Sequence, residues 1–134
     1  MDAGKVNLKM KAPLMLDFSN IKGNPMMEFP EGIEIAKIEE DGDAINISGD
    51  YAINYKKTNI SEIKGNIVIT SDKEDKKLTT DQLFWDQETK YFFTHQSFTF
   101  FTETDTIQGD GFESTQDLKI WCIKNQRGIF NVKE

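Results

Sequence analysis

The chain has 134 residues, 16 basic and 23 acidic side chains, and a formal net charge of −7. At roughly 100–200 residues per domain this is one domain, and 37% hydrophobic with 29% charged residues mark it as globular rather than disordered. An acidic chain without a basic stripe excludes nucleic acid as a partner, and no run approaches the roughly 18 apolar residues needed to cross a bilayer as a helix.

Fifteen Ile, three Val and eleven Thr stand against five Ala and six Leu. β-branched side chains lose rotamer freedom in helices and pack well on pleated sheets, while Ala and Leu are the strong helix formers. The balance predicts an all-β chain with almost no helix.

In chain order, Val6-Asn7-Leu8-Lys9-Met10 alternates apolar and polar, and Leu14 to Phe18 follows Pro13. Residues 20–30 carry Gly23, Pro25 and Pro30 and cannot be regular for long. Ile33, Ile35 and Ile38 mark a strand, and Asp41-Gly42 signals a hairpin into Ile45-Asn46-Ile47. Further strands are predicted over 52–55, 60–70, 78–85, 91–102, 107–112 and 118–132, separated by short polar breaks. Short strands at regular spacing predict a sandwich, barrel or jelly roll.

The chain also repeats. Asp50, Asp81 and Asp110 align at offsets of 31 and 29 residues. Ala52, Leu83 and Phe112 then coincide, as do Ile60, Tyr91 and Ile120; Ile67 and Ile69 match Phe98 and Phe100, and a two-residue insertion brings Ile129 onto Phe98. A period near 30 with a hairpin in each unit predicts stacked hairpins, each unable to bury its apolar face alone. Stacking gives two sheets with one apolar seam. Strand parity places Ile67, Ile69, Leu83, Trp85, Phe98, Phe100 and Phe112 on the inner face, and Ile120 is taken to join them. The seam could be a dry core or could splay into a greasy trough.

Nothing points to catalysis, so no enzyme and no cofactor are expected. His95 is the single histidine, mid-strand, with no nucleophile elbow, phosphate loop or zinc motif in the chain. Cys122, between Trp121 and Ile123, reads as a packed thiol. The carboxylates of 39–43, 72–75 and 86–88 read as solvated loop tips rather than a glycosidase pair, and Asp41-Gly42-Asp43 falls short of a calcium loop, so no metal is expected. The recurring aspartates read as structural, capping a bend between strands. No signal peptide is visible in the first residues, which fits either a cytosolic chain or one trimmed of its targeting segment.

The terminal segments matter more. Gly128-Ile129-Phe130-Asn131-Val132 and Val6-Asn7-Leu8-Lys9-Met10 are short apolar strands without the usual edge defences. They would either pair within the chain or receive a partner's strand.

Several stretches together resemble a known family. They are Pro25 to Ile33 (PMMEFPEGI), Asp50 to Tyr55 (DYAINY), Gly65 to Ile69 (GNIVI), Gln82 to Gln87 (QLFWDQ), Gly109 to Ser114 (GDGFES) and Gln126 to Phe130 (QRGIF). The chain resembles the LptC family, the periplasmic component of the lipopolysaccharide export ABC transporter, from about Val6 to Val132. The resemblance implies an open, twisted β-jelly roll over 6–134 whose apolar interior holds lipopolysaccharide acyl chains. It implies an N-terminal edge (Val6, Leu8, Met10) stacked on LptF/LptG-type transporter subunits and a C-terminal edge (Gly128, Ile129, Phe130, Val132) that receives LptA. The groove residues would be Ile67, Ile69, Leu83, Trp85, Phe98, Phe100, Phe112 and Ile120. The family also implies a periplasmic, inner-membrane-associated protein. No membrane helix or lipoprotein cysteine precedes Val6, so the anchor is expected to be missing from this chain, with residues 1–5 a linker remnant. A stand-alone lipid-binding barrel or a structural β-domain with a dry core is the alternative.

Overall fold

A computed structural model describes residues 7–39, 41–73 and 75–131, which form eleven strands and no helix. The strands are β1 (Asn7–Lys11), β2 (Leu16–Phe18), β3 (Met26–Phe29), β4 (Ile33–Ile38), β5 (Ala44–Gly49), β6 (Tyr51–Tyr55), β7 (Ile60–Ser71), β8 (Lys76–Asp86), β9 (Tyr91–Phe101), β10 (Asp105–Thr115) and β11 (Trp121–Asn131). Every pairing is antiparallel. The expected hairpin at Asp41-Gly42 is present, with Gly42 at φ 88° and its amide donating to the Glu39 carbonyl at 2.9 Å.

Strands β7 to β11 are long because each serves two walls. The first half of β7, Ile60 to Lys64, pairs with β6, whereas Ile45 to Ser48 of β5 pair with Ser71 back to Val68 in its second half. Between the halves the register slips, at Lys64/Ile67 against β8, at Thr80/Phe84 between β8 and β9, and at Asp110/Phe112 between β9 and β10. Such bulges bend a strand and sharpen its twist. One wall therefore runs β2-β3-β6 and on through the 60–64 half of β7; the other runs β1-β4-β5 and on through its 67–71 half. The fold is an open, twisted β-jelly roll of stacked antiparallel hairpins, all β.

The recurring aspartates lie on this bend line. Asp50 donates its amide to the Gly65 carbonyl at 2.9 Å, and its carboxylate accepts from Asn66 Nδ2 at 2.8 Å. Asp110 accepts from Ser97 Oγ at 2.8 Å. Gly65 must be glycine: φ is +82°, and a Cβ there would sit 3.0 Å from the Asp50 side chain.

The repeat is equally visible at the turns. Asn59 and Lys90, one repeat apart, are both left-handed and donate to the carbonyls of Tyr55 and Asp86, each at 2.8 Å. The turns also stack: Lys56 N donates to Pro25 O, Gln87 N to Asn59 O and Gln116 N to Lys90 O, each at 3.0 Å.

Between the walls lies one apolar cluster that draws on both, from Phe29 and Ile35 through Ile63, Ile67 and Leu83 to Phe100, Ile107 and Phe112. Rings cross the gap: Phe98 and Phe100 from one wall meet Phe112 from the other at 5.1 and 4.9 Å between centroids. Each fully buried side chain of this size contributes about 1.5–3 kcal/mol.

The structure agrees with the open jelly roll and not with the alternative of a closed barrel: β1 pairs only with β4 and β11 only with β10 among the described residues. Two expectations need correction. Asp43 is not a solvated tip; it is buried, accepting from Ser71 Oγ at 2.6 Å and the Lys73 amide at 2.8 Å, and so ties two turns together. Cys122 is exposed, because it sits opposite Glu113 on the outer face and the inner positions of β11 fall on its neighbours.

Candidate functional site

The interior is built by strand parity. Directly opposed residues of antiparallel neighbours share a face, so Ile67, Thr80, Phe98 and Gly109 form one inward row and Ile69, Leu78, Phe100 and Ile107 the next. On the opposite wall, Ala52, Ile63 and Leu83 form a row, and Met27, Asn54, Ser61, Trp85, Phe92, Ser114 and Trp121 another. Ile67, Ile69, Leu83, Trp85, Phe98, Phe100 and Phe112 are thus buried in the single interior cluster.

Ile120 is not in the interior; it is 71% exposed. The reason is parity again. Its repeat partners Ile60 and Tyr91 both lie on the outward row that also holds Asp86 and Thr115, and Ile120 follows them outward.

Two interior groups escaped the sequence reading. Lys37 continues the inward parity of Ile33 and Ile35 and is 1% exposed, whereas Ile38, taken as a strand marker, points outward. The alternation itself was the available signal. The Lys37 ammonium pairs with Glu39, donates to the Gln116 carbonyl at 3.2 Å and lies 5.8 Å from the centre of the Trp85 ring. Burial pushes its pKa below the usual lysine value, with the hydrogen bond and charge of Glu39 opposing. The second is Leu118, expected to open a strand. It is instead a turn residue at φ 63°, fully buried in the interior cluster.

Trp85 Nε1 donates to Gln116 Oε1 at 3.2 Å, so the indole keeps its polar end satisfied while its ring lines the interior. His95 is exposed, its ring edge-on to Phe93 with 6.1 Å between ring centroids.

The two ends of the interior differ from its sides. At one end, β1 finishes one wall and β2 the other. Leu8 and Met10 stand opposite Lys37 and Ile35, hence on the interior face, yet they are 49% and 46% exposed because among the described residues no strand lies beyond β1. Leu14, Met15 and Ile21, in the segments flanking β2, add to the same exposed apolar end. At the other end β11 finishes both walls: 121–123 pair with 112–114 in one, and 128–131 with 105–108 in the other. Gly128, Ile129 and Phe130 lie in that second half. Val6 and Val132 fall outside the described residues.

No curated protein matches this sequence. The family model for LptC-related lipopolysaccharide-assembly proteins matches residues 2–130, nearly the whole chain. With the open jelly roll and the matched stretch in agreement, the chain belongs to the LptC-related family of lipopolysaccharide-assembly proteins, a family of lipopolysaccharide transport.

Proposed function

We propose that this chain is a periplasmic link in lipopolysaccharide export, taking acyl chains into the space between its walls and passing them from inner-membrane LptF/LptG-type subunits to LptA. The observation that carries the reading is one apolar interior between two end strands that, among the described residues, have a partner on one side alone. An end strand with free backbone groups is a template for strand addition. At the β1 end it comes with exposed apolar side chains, the mark of a surface that another protein covers.

The chemistry is transfer without covalent change. Each methylene moved into water costs about 0.8 kcal/mol, so several acyl chains cannot cross an aqueous space unaided. A continuous apolar path between proteins stacked edge to edge removes that barrier, and the driving energy comes from the transporter's ATPase. A net charge of −7 gives no general attraction to phosphates, so the interior grips the tails and leaves sugars and phosphates outside.

Photo-reactive residues in place of Phe98 and Phe112 test the interior. Crosslinks to lipopolysaccharide in cells are expected at both; their absence from both in a folded protein favours the second reading, a structural domain with a dry core. That reading draws on the complete burial of Phe92, Phe100 and Phe112. The C-terminal edge is tested separately: Phe130→Asp is expected to abolish capture of LptA, and undiminished capture overturns that assignment.

A further inference from the structure

The third turn of the repeat departs from the other two. The positions corresponding to Leu118 are Thr58 and Thr89, both exposed. In the third turn the chain goes left-handed at Leu118 and drives that side chain fully into the interior. Left-handed backbone is unfavourable for a residue with a branched side chain and persists only where its surroundings hold it.

Its own wall holds the turn through Gln116, whose amide donates to the Lys90 carbonyl at 3.0 Å and whose Oε1 accepts from Trp85 Nε1 at 3.2 Å; further bonds come from across the gap. The 115–120 turn lies on the rim of one wall, opposite the bend line. Lys37 donates to the Gln116 carbonyl at 3.2 Å, Lys76 donates to the Leu118 carbonyl at 3.0 Å, and Lys119 pairs with Asp41. Lys37, Asp41 and Lys76 all belong to the rim of the other wall. Along the bend the walls are joined by continuous strand ladders; across the gap at this rim they meet through one leucine and a few bonds from flexible lysines. The Lys119–Asp41 pair is well exposed and screened by solvent, so it adds little. A cleft of about 420 Å³ lies beside the turn, lined by Glu39, Asp41, Lys90, Tyr91, Gln116 and Lys119 among others.

We propose that the 115–120 turn is a strap that swings outward to admit an acyl chain of the lipid into the space Leu118 fills. The exchange in the interior is apolar for apolar: Leu118 leaves the cluster as the acyl chain enters it, while the bond from Trp85 Nε1 to Gln116 Oε1 opens with the turn. Release of the strap also frees the lysines from the turn's carbonyls. This rests on the interior being the lipid site, and it adds where the lipid enters.

The test links the two rims. In a Cys122→Ser background, Asp41→Cys and Lys119→Cys are joined by a short bis-methanethiosulfonate linker that a reductant cleaves. A photo-reactive residue replaces Phe98, and lipopolysaccharide is added to the linked and reduced protein. Linking is expected to lower the crosslink yield at least roughly tenfold, the loss expected when the competent state becomes rare, and reduction to restore it. Equal yields from linked and reduced protein overturn the strap while leaving the interior as the lipid site. Crosslinks absent from both forms, and from the otherwise unmodified chain, overturn the interior site and the strap with it.

Discussion

Lys37 and Gln116 lie 79 residues apart in the chain, yet the ammonium of the first donates to the backbone carbonyl of the second at 3.2 Å. The bond joins the two walls on the side away from the bend. It also places a buried cation where its protonation is linked to folding. The folded-state pKa of Lys37 lies below the ordinary 10.5, so between the two values the unfolded chain binds more protons than the folded one. Stability contributed by this group therefore rises with pH through that window. In urea titrations the wild type is expected to gain stability relative to Lys37→Met as pH rises toward 10.5. A difference that stays constant or moves the other way contradicts the assignment.

Phe112 touches Phe98 and Phe100 across the gap and is fully buried. Phe112→Ala is expected to cost about 3–5 kcal/mol, the usual range for emptying an aromatic site. Ile120→Asp, at a 71% exposed position, is expected to stay within about 0.5 kcal/mol of wild type. Equilibrium unfolding of the two variants measures the contrast.

Gly109 is required for lack of space. A Cβ there would meet the Asn125 carbonyl oxygen at 2.4 Å and Phe98 Cε1 at 3.1 Å, so β11 would have to move off β10. Gly109→Ala is expected to cost about 1–3 kcal/mol and to speed amide exchange along β11. Gly23→Ala, with nothing within 4 Å, is the control and leaves both unchanged.

Tyr51 donates its hydroxyl to Glu28 at 2.5 Å, and that bond, helped by burial and the Glu28 charge, pushes its pKa up to about 12. An ultraviolet titration should find one of the three tyrosines ionising near there. Glu28→Gln should bring it back toward 10. Because the folded pKa is raised, the stabilisation from this bond is whole below pH 10 and lost as pH climbs to about 12.

Much of this architecture was legible because it is periodic. Parity alone places Phe98 and Phe100 inside, and the recurrence of Asp50, Asp81 and Asp110 signals bends between strands. What escaped reading breaks the period. Leu118 looks like the start of a strand, and the lysines that reach its turn from the opposite wall, Lys37 and Lys76, lie 79 and 42 residues from the carbonyls they bond, beyond any local pattern. Ile120 was misplaced by counting it as an apolar strand residue, although its alignment with Ile60 and Tyr91 already put it on the outer row. Met26 to Phe29 forms a strand inside a stretch rich in Gly and Pro, because β2 and β6 supply partners on both sides that local sequence does not reveal. Asp43 is buried by Ser71 and Lys73, 28 and 30 residues on, which no local pattern could show.

Each of the strands β7 to β10 bends from one wall into the other, so the two walls cannot be lengthened independently. The hairpin is the smallest unit by which this molecule grows. At about 4.8 Å per strand, duplicating one would extend the enclosed space by roughly 10 Å, and deleting one would shorten it by as much. Reach is thus a quantity that gene duplication can adjust in fixed steps, with no redesign of the cross-section.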